Sequence, residues 1–233
     1  MGYWENTTYL EHPDPSVVAD AIAALFAEEG MRRIARPPGR EPTSHEPMQY
    51  AGALQNNLWG VAIIPGNGEW TIIKTAPLEL LSERASGNGR MRIAELAARL
   101  GVAGFQLNVH DGSDAVMVET DGRGRYLLSG FTGYGEDPDD PLQFHEDRVA
   151  EDRITVRFEL LPLQAHVRAS QHRGSELIDY QMLAGRLAAA LAGGNSPWCS
   201  NMTCLNALIG HRPLPVSGAH DLYFEWPARD RSG

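Results

Sequence analysis

The sequence contains almost no lysine. Lys74 is the only one in 233 residues, whereas arginine occurs nineteen times. GC-rich codon usage accounts for such a bias without any functional role. Lys74, at the end of an apolar strand, is then expected to extend its ammonium group to solvent. The alternative, a catalytic or Schiff-base lysine, requires a desolvated pocket, which a sequence does not reveal.

Cysteine is nearly as rare, since the chain has only Cys199 and Cys204. Two thiols make no disulfide framework, and their spacing fits neither a zinc ribbon nor a redox dithiol. We therefore predict no metal at this pair. Cys204 lies in an apolar stretch and is expected to pack as a small hydrophobic residue. Cys199 is expected to be the more exposed, and as a nucleophile it would need a base such as His211 or His220.

Long apolar runs are absent. None approaches the roughly 20 residues that cross a bilayer, and the first residues, MGYWENTTYLE, lack the apolar core of a signal peptide. Asn6 stands where the N-myristoylation pattern needs Ser or Thr. We therefore expect a cytoplasmic protein that does not bind membranes.

Several common catalytic motifs are also absent. The chain has no Gly-x-Ser-x-Gly, no His-Glu-x-x-His and no Gly-Lys-Ser/Thr. These absences disfavour the large hydrolase, zincin and nucleotide-triphosphatase classes, and no cofactor is predicted. An enzyme with unremarkable local sequence remains an alternative to a non-catalytic protein.

Acidic residues outnumber basic ones, which gives a net charge of −10 and a pI of about 5.2. Such a charge repels nucleic acid, so we expect no nucleic-acid partner. The segment 133–140 concentrates acidic side chains, including Asp137, Asp139 and Asp140. It is either a solvated loop or a contact surface for a basic protein partner.

The clearest structural signal is a β-hairpin. Two apolar, β-branched runs, Leu58–Ile64 and Trp70–Thr75, flank Pro65-Gly66-Asn67-Gly68. Gly and Asn supply the positive φ angles of a tight turn, and the flanking residues suit a pleated surface. The pattern therefore predicts an antiparallel pair of strands.

Further segments complete an α+β pattern, a mainly antiparallel sheet built from hairpins and packed by three or four amphipathic helices. One helix is predicted to begin at Asp14 and to stop at Gly30. Other helices are predicted over Leu78–Arg84, Met91–Leu100 and Ser175–Ala192, and Pro197–Ile209 is ambiguous. Further strands are predicted over Gly104–His110, Ala115–Thr120, Arg125–Phe131, Ile154–Leu163 and Asp221–Trp226. We expect one domain over residues 1–233, with a possible division near 132–150.

Two groups of residues are candidates for a binding site. Trp198, in a Gly/Asn/Ser/Pro context, is expected to line a surface or pocket. His110 and Asp111, at a strand end and its turn, could join His145 and Glu146 in a pocket between sheet and helices. Neither His-carboxylate pair has a spacing typical of a metal site, so no metal is predicted.

In composition and architecture the chain resembles acidic, single-domain bacterial α+β proteins, among them immunity proteins that neutralise toxins. The net charge, the missing catalytic motifs and the acidic segment favour a non-catalytic, immunity-type function in which an acidic surface, including Asp137, Asp139 and Asp140, binds a basic protein. The alternative is a small-molecule-binding protein or enzyme with a pocket between sheet and helices.

Overall fold

A computed structural model describes residues 5–41, 58–78, 80–83, 90–110, 114–124, 126–132, 144–145, 169–170, 179–199 and 201–226. The strands in these ranges are β1 (Glu5–Leu10), β2 (Arg32–Ile34), β3 (Leu58–Pro65), β4 (Thr71–Ala76), β5 (Gly104–His110), β6 (Asp114–Thr120), β7 (Tyr126–Thr132), β8 (Phe144–His145) and β9 (His220–Glu225). The helices with both ends in these ranges are α1 (Pro15–Glu28), α2 (Arg92–Leu100), α3 (Tyr180–Ala192) and α4 (Asn201–Ile209), and a 3-10 helix, Gly193–Cys199, connects the last two.

The strands form one sheet in the order β2-β9-β3-β4-β1-β5-β6-β7-β8. Every neighbouring pair is antiparallel, and the short strands β2 and β8 form the two edges. Strand β1 lies in the middle and joins two halves, the β3–β4 hairpin with β9 on one side and the β5–β6–β7 meander on the other. The predicted α+β class with a mainly antiparallel sheet is confirmed.

Helices cover both faces of the sheet. Helices α1 and α2 pack on one face, where Phe26 and Ile63 belong to the same buried apolar cluster. Helices α3 and α4 pack on the opposite face, where Leu187 and Ile64 belong to a second cluster. Because successive residues of a strand point to opposite faces, Ile63 and Ile64 contribute to different clusters. We call these two faces the α1/α2 face and the α3/α4 face.

The predicted hairpin is present, with Ile63 of β3 opposite Ile73 of β4. Its turn contains Gly68 at φ +68°. A Cβ on Gly66 would come within 2.6 Å of the Leu191 carbonyl oxygen, because the turn packs on the end of α3. The backbone N–H of Asn67 also donates to that carbonyl at 2.6 Å. The hairpin therefore anchors the C-terminal end of α3 on the sheet.

Helix α1 has the ends that the sequence predicts. The Asp14 side chain accepts a hydrogen bond from the backbone N–H of Ser16 at 2.8 Å, and Pro15 occupies the first turn. Gly30, at φ +87°, follows the helix. Helix α2 is fixed to α1 by buried Arg92, whose guanidinium binds the Glu29 carboxylate at 2.9 Å.

Five segments differ from the sequence-based expectation or lie beyond it. Strands β1 and β2 were not predicted, although β1 is central. The segment predicted as a helix over Leu78–Arg84 forms turns in its described residues. It lies between β4, which ends at Ala76, and α2, which begins at Arg92. The ambiguous segment Pro197–Ile209 is the end of the 3-10 helix followed by α4. The predicted strand Ile154–Leu163 lies outside the described residues.

Candidate functional site

The residues proposed from sequence are spread over the chain. Asp137, Asp139, Asp140, Asp111 and Glu146 lie outside the described residues. His110 ends β5 and His145 lies on the edge strand β8, with β6 and β7 between them. At about 4.8 Å per strand, the two backbone positions are about 14 Å apart or more. The sheet therefore does not bring the two histidine backbones together, and the pocket that combines them stays a prediction.

A different group of polar residues meets at the centre of the sheet. Lys74 on β4 and Glu5 on β1 lie on neighbouring strands and both point to the α3/α4 face. The Lys74 Nζ donates to the Glu5 Oε1, and the Thr7 hydroxyl donates to the same oxygen. The Lys74 side chain is 1% exposed and that of Glu5 is 5% exposed. The only lysine of the sequence is thus a buried, ion-paired residue.

The expectation that Lys74 reaches solvent is therefore wrong. Lys74 is in the interior of the sheet rather than at its edge, because β1 and β3 flank β4. Burial lowers the pKa of the Lys74 ammonium to about 7, since the apolar surroundings disfavour its charged form. A side chain of this kind carries charge only because a carboxylate is in contact with it.

Two thiols lie near this ion pair. Cys204 is fully buried on α4, as predicted, and Cys199 at the end of the 3-10 helix is only 2% exposed. Cys199 was expected to be the more exposed of the two thiols, and although its exposure exceeds that of Cys204 it is buried as well, with its Sγ donating to the Asn195 carbonyl oxygen at 3.7 Å. Burial raises the pKa of Cys199 to about 11 and that of Cys204 to about 12. Both are free thiols that stay protonated near neutral pH, so they are poor nucleophiles.

A cavity of about 240 Å³ opens beside the ion pair. Buried Glu5, Tyr9 and Cys199 form its floor. The rim consists of residues of α3 and of the 3-10 helix, which are Ala184, Gly185, Ala188, Ser196 and Pro197. Small side chains on this part of α3 leave room between the helix and the sheet. Gly185 and Pro197 are exposed, so the cavity opens to solvent between the two helices.

The floor of the cavity is held in place by the surrounding sheet. The Tyr9 ring stacks on Phe105 with centroids 4.8 Å apart. The Asn195 side chain donates to the Pro65 carbonyl oxygen at 2.8 Å and so ties the 3-10 helix to the hairpin. Trp198 is half-buried against the same apolar cluster, and both of its chain neighbours line the cavity, although Trp198 itself is not among the lining residues.

Comparison of the chain with protein-family models, curated proteins and solved structures finds no match. The site is therefore interpreted from its own chemistry. Among the described residues, no group of three or more His, Cys, Asp or Glu side chains is placed to hold a metal ion. In the same ranges, no helix has the length and apolar character needed to cross a membrane.

The α1/α2 face of the same strands carries a second set of buried polar residues. Gln106 on β5 donates to the Asn6 Oδ1 of β1 at 2.9 Å. The hydroxyls of Thr8 and Thr120 are buried and have no hydrogen-bond partner within the described part of the chain. These groups lower stability, because a buried polar atom without a partner costs about 1–3 kcal/mol.

Two adjacent threonines of β1 provide a matched test, because Thr7 lies on the α3/α4 face beside Glu5 and Thr8 lies on the α1/α2 face. We expect Thr7→Val to lower the free energy of unfolding by about 1.5–3 kcal/mol, because it removes a hydrogen bond to the Glu5 carboxylate. Thr8→Val should be neutral or stabilising by about 1 kcal/mol, because it removes a buried hydroxyl that has no partner. Both changes keep a β-branched side chain of similar size, so urea unfolding compares the hydroxyls alone. Equal decreases in the free energy of unfolding of the two variants would contradict the difference in hydrogen bonding between the two hydroxyls.

Proposed function

We propose that this chain binds a small molecule in the cavity between the sheet and α3. The observation that supports this function is a buried, ion-paired carboxylate, Glu5, in the floor of a cavity of about 240 Å³ that opens to solvent. Stability alone is a weak reason for a protein to bury such a pair, because desolvation of the two charges offsets much of their attraction. An apolar cavity with a few convergent polar groups is typical of ligand sites.

The size and lining of the cavity favour a small, largely apolar ligand. Its volume is below the roughly 300–1,000 Å³ of pockets for drug-sized ligands, so a metabolite of a few heavy atoms fits better. Tyr9 and the alanines of α3 offer apolar contacts, and Ser196 and Glu5 offer polar ones. A neutral ligand is favoured over an anion, because Glu5 would repel a negative charge.

A cavity-blocking substitution tests the proposal. A Cβ added to Gly185 meets no atom within 4 Å, so Gly185→Leu should fold and place its side chain in the cavity mouth. A Cβ added to Gly194 also meets no atom within 4 Å, and Gly194 does not line the cavity, so Gly194→Leu is the matched control. We expect a library of metabolite-sized compounds to contain ligands that raise the melting temperature of the wild type and of Gly194→Leu by several degrees but leave Gly185→Leu unchanged.

That increase follows from mass action, since a ligand at 100 times its dissociation constant stabilises the folded state by about 2.7 kcal/mol. Ligands that stabilise Gly185→Leu as strongly as the wild type would place the binding site elsewhere. A library that stabilises none of the three proteins would argue against small-molecule binding.

The immunity-type, protein-binding function remains the hypothesis that the sequence favours. Its support is the net charge of −10 and the acidic residues Asp137, Asp139 and Asp140, which lie outside the described residues. The two functions can be separated, because changing these three aspartates to asparagine should weaken a charged protein contact without affecting a ligand in the cavity.

A further inference from the structure

We propose that Lys74 forms an imine with a neutral aldehyde or ketone that enters the cavity beside Glu5. This inference rests on the proposed function, since the carbonyl compound is taken to be the ligand of the same cavity. It adds the identity of the reacting atom, the Lys74 Nζ, and the chemical class of the ligand.

The geometry places the amine directly behind the cavity floor. Glu5 lines the cavity and accepts the hydrogen bond of the Lys74 Nζ, so the amine is in direct contact with a residue of the cavity lining. The proposal requires the Glu5 side chain, at the first residue of β1, to rotate away from the amine so that a ligand in the cavity can reach it. Arg92, the other buried cation of the described residues, offers no comparable arrangement, since neither it nor its partner Glu29 lines the cavity and a guanidinium forms no imine under these conditions.

The environment also favours a reactive amine. An imine forms only from the neutral amine, and an ordinary lysine is almost entirely protonated at neutral pH. Burial lowers the pKa of Lys74 to about 7, which raises the neutral fraction of the amine at neutral pH above that of an exposed lysine. A desolvated, apolar surrounding is the usual means by which proteins activate a lysine for attack on a carbonyl group.

Glu5 can carry the protons of the reaction. A proton moves from the Lys74 ammonium to the Glu5 carboxylate, and the amine lone pair then forms a C–N bond to the carbonyl carbon while the Glu5 carboxyl protonates the carbonyl oxygen. Glu5 takes a proton back from the nitrogen and delivers it to the hydroxyl group, which leaves as water when the C–O bond breaks. The nitrogen lone pair forms the C=N bond as the C–O bond breaks, so the products are one protonated imine, which keeps the third proton of the ammonium beside the regenerated Glu5 carboxylate, and one water; no oxidant or reductant is consumed.

The single lysine makes the test specific. The full chain is incubated with propanal and sodium cyanoborohydride, which reduces an imine to a stable amine, and labelled sites are located by peptide mass spectrometry. The primary amines of this chain are Lys74 and the terminal α-amine, which serves as an internal reference. We expect Lys74 to be labelled at least as fast as the α-amine, with a rate that rises to a plateau above about pH 7.

Two comparisons decide whether the cavity is the route. Gly185→Leu should slow labelling of Lys74 at least tenfold and leave the α-amine unchanged, whereas Gly194→Leu should match the wild type. Pyruvate, an anionic ketone, should label Lys74 at least tenfold more slowly than propanal. Labelling of the α-amine alone, equal labelling of Lys74 in Gly185→Leu, or a preference for pyruvate would each overturn the proposal.

The test distinguishes this inference from the function on which it rests. Ligands that stabilise the wild type but not Gly185→Leu, together with no label on Lys74, would leave a non-covalent binding cavity and remove the imine. Absence of both ligand stabilisation and Lys74 labelling would remove both.

Discussion

Replacing Glu5 with leucine is expected to destabilise the fold by about 1–3 kcal/mol at pH 7, because Lys74, whose pKa falls further without the carboxylate, stays buried as a neutral amine that has lost the Glu5 acceptor. Lys74→Met should cost about 3–5 kcal/mol, because it leaves the Glu5 carboxylate buried without the ammonium that compensates its charge. The double variant should unfold within about 1 kcal/mol of the wild type or above it, since two apolar side chains of similar volume replace the pair without a desolvated charge. Urea unfolding of the four proteins gives the coupling energy.

The two single variants should also recover at opposite ends of the pH scale. Lys74 in Glu5→Leu is neutral from about pH 7 upward, because loss of the carboxylate lowers its pKa further, and Glu5 in Lys74→Met becomes neutral only in acid, so each cost is smallest where the remaining group is neutral. Arg32 and Glu225 provide the control, because they form an ion pair across strands β2 and β9 with side chains 75% and 41% exposed. Arg32→Ala should cost no more than about 1 kcal/mol. Additive costs of the two buried substitutions would show that Glu5 and Lys74 do not act as a pair.

Elements defined by local signals were predictable from the sequence. The hairpin of β3 and β4 follows from two β-branched runs around Pro-Gly-Asn-Gly, and α1 follows from its Asp-Pro-Ser start and the glycine after its end. Strands β5, β6 and β7 follow from apolar segments separated by Asp-Gly turns. In each case the residues that determine the structure are neighbours in the chain.

Strand β1 was missed because its composition is atypical of a buried strand. All six residues of Glu5–Leu10 are buried, although the first four are Glu, Asn, Thr and Thr. They become interior residues only when β4 and β5 pair on either side and helices cover both faces. Their polar atoms are then partly satisfied across strands, as in the Gln106–Asn6 hydrogen bond.

The ion pair of the candidate site was not predicted, because its two residues are distant in sequence. Lys74 and Glu5 are 69 residues apart in sequence, and only the pairing of β4 with β1 brings them into contact. The sequence did single out Lys74 by its uniqueness, and it identified the desolvated pocket as the condition for reactivity. The sequence Met1–Glu11 contains no local pattern that identifies Glu5 as the partner of Lys74 or as a residue of the cavity lining.

Between pH 7 and pH 9, the free energy of unfolding of the wild type is expected to rise relative to that of the Glu5→Leu/Lys74→Met double variant, by up to about 1.4 kcal/mol per pH unit. The pKa of Lys74 is about 7 in the folded chain and near 10.5 when unfolded, so the unfolded state binds more protons throughout this window. The contribution of Lys74 to the free energy of unfolding therefore increases as pH rises above its pKa in the folded chain, and this gain is lost as pH falls back to that value.

The comparison with the double variant isolates this contribution. Burial raises the pKa of Glu119 to about 7, so below pH 7 this carboxyl group lowers the free energy of unfolding as pH rises. Both proteins contain Glu119, so its contribution cancels in the comparison. Above pH 9.0, the ordinary pKa of a thiol, the buried thiols of Cys199 and Cys204 lower the free energy of unfolding as pH rises. The measurement therefore ends at pH 9. Urea unfolding at half-unit steps of pH measures the difference. If the two proteins changed in parallel across the window, Lys74 would be charged throughout it, and the neutral amine required for imine formation would be absent.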